Sequence, residues 1–156
     1  MIEANGKESE KVVVQLGSKV IKGYVESKSG ETIEELLSNA CWNSKETLRV
    51  RSCNSDAVEE ISLAETKAIF YVNSFEGDSE HTELSFHSRA PLVHGIWVRV
   101  QFLDGEVIEG IVYNSLRYLI DPGFFLMPTD PESNNKLVYV VKSSLADHRI
   151  LGLRNL

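Results

Sequence analysis

The side chains best suited to chemistry lie far apart along the chain. His81, His87 and His94 share one polar stretch with Glu80 and Glu83. Imidazole and carboxylate together can hold a divalent metal. Their spacing matches no compact ligand motif, and the stretch would have to fold back on itself to gather them. They read as solvated loop residues, and no metal site is expected. His148 stands alone in a strand-like stretch and reads as structural. A nucleophilic serine or cysteine needs a neighbouring base and a third group to orient it. No G-x-S-x-G occurs, and neither Cys41 nor Cys53 has a histidine in register. The phosphate-cradling patterns G-x-x-x-x-G-K-[ST] and G-x-G-x-x-G are absent too. The carboxylate pairs Glu34/Glu35 and Glu59/Glu60 are sequence neighbours, whose side chains point apart. The expectation is no catalytic residue, no cofactor and no enzyme.

Binding has a better candidate. Residues 129–135 read TDPESNN, a run rich in the residues that close tight turns. Loops held on a rigid scaffold are also where binding residues gather. Asp130, Glu132, Asn134 and Asn135 therefore form the expected partner-facing loop, flanked by Arg117 and Tyr118. Arginine and aromatic side chains are enriched at interfaces. Trp42, just past a segment with helical periodicity, is the other expected anchor.

The elements that must position these residues are strands. Residues 97–113, WVRVQFLDGEVIEGIVY, read as two strands joined at Asp104-Gly105, a dipeptide suited to a tight hairpin turn. Gly110 inside the second arm marks a bend or bulge. The pattern occurs twice. VQLGSKVIKGYV, beginning at Val14, matches VQFLDGEVIEGIV, beginning at Val100, once one residue is dropped at the turn. Val14, Val20, Ile21, Gly23 and Val25 fall on Val100, Val107, Ile108, Gly110 and Val112. Strand, turn, strand and internal glycine recur together, so the chain reads as an internal duplication.

Each copy has room for five short strands. In the first copy they are expected near 11–16, 19–26, 47–51, 57–63 and 67–72. In the second they are the two hairpin arms, then 123–128, 136–142 and 147–151, with a loop at 114–122. Brief 3₁₀-like turns are expected at 63–66 and 143–145. A short helix inserted in the first copy starts at Thr32, with Glu34 and Glu35 in its first turn and Ile33, Leu36, Leu37 and Ala40 on one face. The expected fold is all-β: two tandem small SH3-like or Sm-like barrels, 11–73 and 96–156, joined by a linker at 74–95 behind a disordered leader at 1–10. About 60 residues is a marginal size for one core, so the barrels are expected to pack together.

Composition removes other classes. The 156 residues are 42% hydrophobic and 25% charged, as expected of a folded domain. The apolar runs are strand-sized and fall short of the roughly 20 residues of a membrane span. The polar start carries no apolar h-region, so a cytoplasmic protein with no membrane partner is expected. Formal net charge is -7, and residues 1–73, 74–95 and 96–156 each carry more acidic than basic side chains. Nucleic-acid binders gather positive charge instead, so this balance argues against such a partner. Two cysteines are too few for a disulfide framework, and both are expected as free thiols.

Three stretches carry a resemblance. They are KAIFYVNSFEG at 67–77, VRVQFLDGEVIEG at 98–110 and GFFLMPTDPESNN at 123–135. Together they resemble a family of uncharacterised bacterial proteins, which implies a module and leaves its task unnamed. A looser resemblance, through the strand order and the V-x-x-x-D-G-x-x-x-x-G hairpin, is to Sm-like RNA-binding barrels. Those bind RNA through an Asp/Asn motif between their second and third strands and an Arg-Gly motif between their fourth and fifth. The corresponding stretches here, 114–122 and 143–146, carry neither. The expected function is a non-catalytic adaptor that binds a protein or another copy of itself. An Sm-like RNA-binding module is the alternative.

Overall fold

Residues 68–72, AIFYV, and 137–141, LVYVV, offer no polar residue to either side. A strand of this kind must be covered on both faces. That demand sets the centre of the molecule.

The computed structural model describes residues 7–28, 47–55, 57–75, 95–130 and 132–154. The first half contributes β1 (Lys7–Leu16), β2 (Val20–Lys28), β3 (Thr47–Ser52), β4 (Val58–Ser62) and β5 (Thr66–Val72). The second half contributes β6 (Gly95–Phe102), β7 (Val107–Val112), β8 (Gly123–Pro128), β9 (Asn135–Val141) and β10 (Leu145–Arg154). The 3₁₀ turns Leu63–Glu65 and Lys142–Ser144 precede β5 and β10, as the sequence predicts. The fold is all-β: the ten strands form one open antiparallel sheet in the order β10-β6-β7-β8-β9-β5-β1-β2-β3-β4.

Each half runs in the same order, its fifth strand beside its first. Val12 and Val14 face Tyr71 and Ile69, and Val98 and Val100 face Ile150 and His148. Both ladders slip at matching places: Lys67 is skipped opposite Gln15/Leu16, and Ala146 opposite Gln101/Phe102. A backbone bond outside the ladders matches too. Cys53 N–H donates to Lys22 O at 3.1 Å, and Thr129 N–H to Glu109 O at 3.2 Å.

The halves join where β5 pairs with β9, with Ala68, Ile69, Phe70 and Tyr71 opposite Val140, Tyr139, Val138 and Leu137. Alternation then divides these two strands between two cores. Ile69, Tyr71, Leu137, Tyr139 and Val141 pack with Val12, Val14 and Val50. Ala68, Phe70, Val72, Val138 and Val140 pack with Val98, Val100 and Phe102. Neither core is complete without a strand from the other half.

Several expectations change. In place of two separately closed units, the described strands make a single sheet, because the first half's fifth strand takes the second half's fourth strand as neighbour. The loop expected at 114–122 contains a short helix, α1 (Leu116–Ile120). β1 begins at Lys7, inside the expected leader, and pairs with β2 from its first residue. The helix expected from Thr32, Trp42, Cys41 and nearly all of the expected linker, with its three histidines, lie outside the described residues.

Two glycines have clear reasons. Gly105 has φ 96°, a left-handed conformation that suits glycine at the hairpin turn. A Cβ on Gly110 would lie 2.3 Å from Leu126 Cδ2 and 2.4 Å from Met127 O, so β7 and β8 approach too closely for any side chain there.

The shared cores predict one cooperative unfolding transition. Leu137→Ala and Ile69→Ala should each cost about 2–5 kcal/mol, as buried apolar truncations do. Gly110→Ala should cost about 1–3 kcal/mol through overpacking. Val58→Ala, on an exposed strand, should stay within about 0.5 kcal/mol. Denaturant titrations of the four variants check these values.

Candidate functional site

Turn chemistry closes the loop after β8, and the loop then docks within the chain. Asp130 is buried; its Oδ1 accepts the Glu132 N–H at 3.0 Å, and its carbonyl accepts the Ser133 N–H at 3.1 Å. Asn134 reaches across to the end of β5. Its Nδ2 donates to Ser74 O at 2.9 Å, and its Oδ1 accepts the Ser74 N–H at 3.0 Å. Its carbonyl accepts the Asn73 N–H at 2.9 Å. Asn135 is partly buried and pairs with Val72, while Glu132 is exposed. Asn134 and Asn135 thus tie the two halves together, Asp130 closes the turn within its own loop, and Glu132 alone of the four is exposed.

Tyr118 sits elsewhere, on α1 and buried. It hydrogen-bonds with Nε2 of His148 on β10 and meets Phe124 edge-on at a centroid distance of 5.0 Å. His148 stacks on Phe124 at 5.3 Å, and Lys142 Nζ lies 5.9 Å from the Tyr118 ring. Burial pushes the Tyr118 phenol up to about 12. Burial, and then the Lys142 charge, hold His148 below the ordinary histidine value, against the opposing pull of Asp147. Burial also lowers Lys142, opposed by Asp121. The cluster caps the second core with a neutral imidazole and a neutral phenol. Sequence reasoning placed His148 in a strand and missed its partner, thirty residues away. The backbone of Arg117 lies in α1.

A cleft of about 690 Å³ opens at one end of the join between the halves, beside the β1–β2 and β6–β7 turns. Lys67 lines it. Its Nζ pairs with Asp104 Oδ2 at 2.7 Å and with Glu106, donates to Gln15 Oε1 at 3.2 Å, and lies 4.6 Å from the Phe102 ring centroid. Burial pulls the Lys67 ammonium down, but the two carboxylates outweigh it, so its pKa stands above the ordinary lysine value. The Lys67 hydrogen bond holds Asp104 below the ordinary aspartate value. With its cation matched by two carboxylates, this cluster locks β5 to the β6–β7 turn. A sequence signal for Lys67 is its place directly before the apolar run 68–72. Among the described residues, no three His, Cys, Asp or Glu side chains gather as a metal site.

The remaining feature is the pair of sheet edges. Among the described residues no strand pairs with the outer side of β4 or of β10. Both edges carry exposed apolar residues: Val58 on β4, and Ile150 and Leu153 on β10. Charged residues stand between them: Glu59 and Glu60 on β4, and Asp147 and Arg149 on β10.

Residues 8–152 match the family of unknown function DUF6982, and the chain belongs to it. No curated protein and no solved structure matches the chain. No helix among the described residues is long and apolar enough to cross a membrane.

The Tyr118 environment sets a pH dependence. An unfolded tyrosine ionises near 10.0 and the folded Tyr118 near 12. Between those values the unfolded chain has released the proton and the folded chain has kept it, so stability must fall as pH rises through that window. Tyr118→Phe should remove this fall and the last step of the phenolate absorbance titration.

Proposed function

We propose that this chain is a non-catalytic binding and adaptor module of the bacterial cytoplasm, contacting a protein partner or another copy of itself along its sheet edges. The observation that carries the reading is the pair of outer strands, β4 and β10, each with one unpaired side among the described residues. A strand edge presents a row of backbone donors and acceptors that an added strand can complete. Val58, Ile150 and Leu153 add apolar area beside that row. We also read each half as a small SH3-like or Sm-like barrel unit descended from one ancestor. The common strand order and the matching slips at Lys67 and Ala146 support this.

Charge weighs against the RNA-binding alternative. A basic face would have to include Arg99, Lys142 and Arg149. Arg99 pairs with Glu109 at 3.1 Å, Arg149 with Asp147 at 2.8 Å, and Lys142 feels Asp121.

Lysine on an edge strand blocks strand addition. Val58→Lys and Ile150→Lys should therefore leave the fold intact and weaken retention of protein, from a host extract or as a second copy, by about tenfold or more. Affinity purification beside light-scattering mass measurement tests this. A wild-type chain that stays monomeric and retains no host protein contradicts the reading.

A further inference from the structure

The pairing inside the chain defines a second pairing between chains. The ladder registers make the halves equivalent residue by residue. Val50 faces Glu59 as Leu126 faces Val138, and Leu48 faces Ile61 as Phe124 faces Val140. β4 is thus the counterpart of β9, with Val58, Glu59, Glu60 and Ile61 standing where Leu137, Val138, Tyr139 and Val140 stand. By the β1 and β6 ladders, Asp147, His148, Arg149 and Ile150 of β10 stand where Ala68, Ile69, Phe70 and Tyr71 of β5 stand.

β5 and β9 pair with each other, and among the described residues β10 and β4 each keep one unpaired side. Carrying the inner register over to those edges sets Arg149 opposite Glu59, where Phe70 faces Val138. It sets His148 opposite Glu60, where Ile69 faces Tyr139, and Ile150 opposite Val58, where Tyr71 faces Leu137. This register brings Glu59 to Arg149 and Val58 to Ile150, sets the neutral His148 against Glu60, and leaves Asp147 opposite Ile61, where Ala68 faces Val140. Directly opposed side chains in an antiparallel pair interact, favourably when their charges are opposite. Val58 is 52% and Ile150 63% exposed, and Glu59, Glu60, His148 and Arg149 are exposed as well.

Local electrostatics points the same way. Arg149 already faces Arg99 across the β10–β6 ladder, a like-charge pair, relieved by Asp147 on one and Glu109 on the other. Glu59, which within its own chain meets Lys19 Nζ at 3.4 Å on an exposed surface, would add a carboxylate on the outer side of Arg149. Pairing β4 with β4 about Glu59 or Glu60 would set glutamate against glutamate, so in those registers β4 favours β10 over itself.

We propose that the β10 edge of one chain pairs antiparallel with the β4 edge of a second copy, in the register Arg149–Glu59, His148–Glu60, Ile150–Val58. This rests on the protein-binding reading and names the partner. The pair of copies then keeps one β4 edge and one β10 edge, so the contact is head-to-tail and builds a ring or a filament.

The test is sedimentation velocity on the full chain over a wide concentration range, with circular dichroism to confirm folding. Wild type should form species at multiples of the chain mass. Glu59→Arg and Arg149→Glu should each raise the dissociation constant about tenfold or more. The double variant, which restores opposite charges in every contact, should recover assembly. If a reversal variant fails to fold, Val58→Cys with Ile150→Cys, in a chain with Cys41→Ser and Cys53→Ser, should give disulfide-linked multimers on mild oxidation. A wild type that stays monomeric, or double-cysteine chains that never link, overturns the proposal. So does dissociation by Arg149→Glu with Glu59→Arg inert, the mark of β10 pairing with itself. A monomer that still retains a host protein along its edges overturns the proposal and leaves the protein-binding reading standing. A monomer that retains nothing removes both.

Discussion

Everything else in this structure depends on β5 lying beside β9. The two strands are apolar at every position from 68 to 72 and from 137 to 141, and both faces are buried. Each sends alternate residues into different cores, so Phe70 and Ile69 serve different halves although they are neighbours. Half of this chain alone would face the difficulty of all small domains, too little core for its surface. Sharing two strands removes that difficulty for both halves at once.

Polar groups fix the register of this join from both ends. At one end Lys67 reaches the carboxylates of the β6–β7 turn, and Ser144 Oγ lies 2.9 Å from Lys67 O. At the other, Asn134 holds the backbone of residues 73 and 74, and Lys136 Nζ meets Glu10 Oε2 at 2.6 Å. A slip by one residue would turn every apolar side chain of β5 toward the wrong core. These ties and the two cores oppose such a slip together. The same arrangement that completes the centre leaves β4 and β10 at the rim of the described sheet.

Much of the fold was legible in the sequence. Alternation and turn residues located the strands, and the match of Val14 to Val100 and Gly23 to Gly110 anticipated the ladders that align the halves. The 3₁₀ turns were legible because a short polar break separates two apolar runs. The join itself was not. AIFYV announces a strand covered on both faces, but the run does not say which strand covers it. The loop at 129–135 shows the same limit. Its Asp, Pro and Asn signal a turn, and only the fold reveals that Asn134 spends its amide on Ser74 rather than on a partner. Tyr118 and His148 were visible singly; their hydrogen bond depends on α1 folding over the end of β10's sheet.

Native-state hydrogen exchange, residue by residue, decides whether β5 and β9 are the shared centre of both halves. If β5 and β9 form the shared centre, the amides of 68–72 and 137–141 exchange last, with one common opening free energy that equals global unfolding. If the amides of β5 exchange through a separate, lower-energy opening while β6–β9 stay protected, the halves are independent units and β5–β9 pairing is not the shared centre.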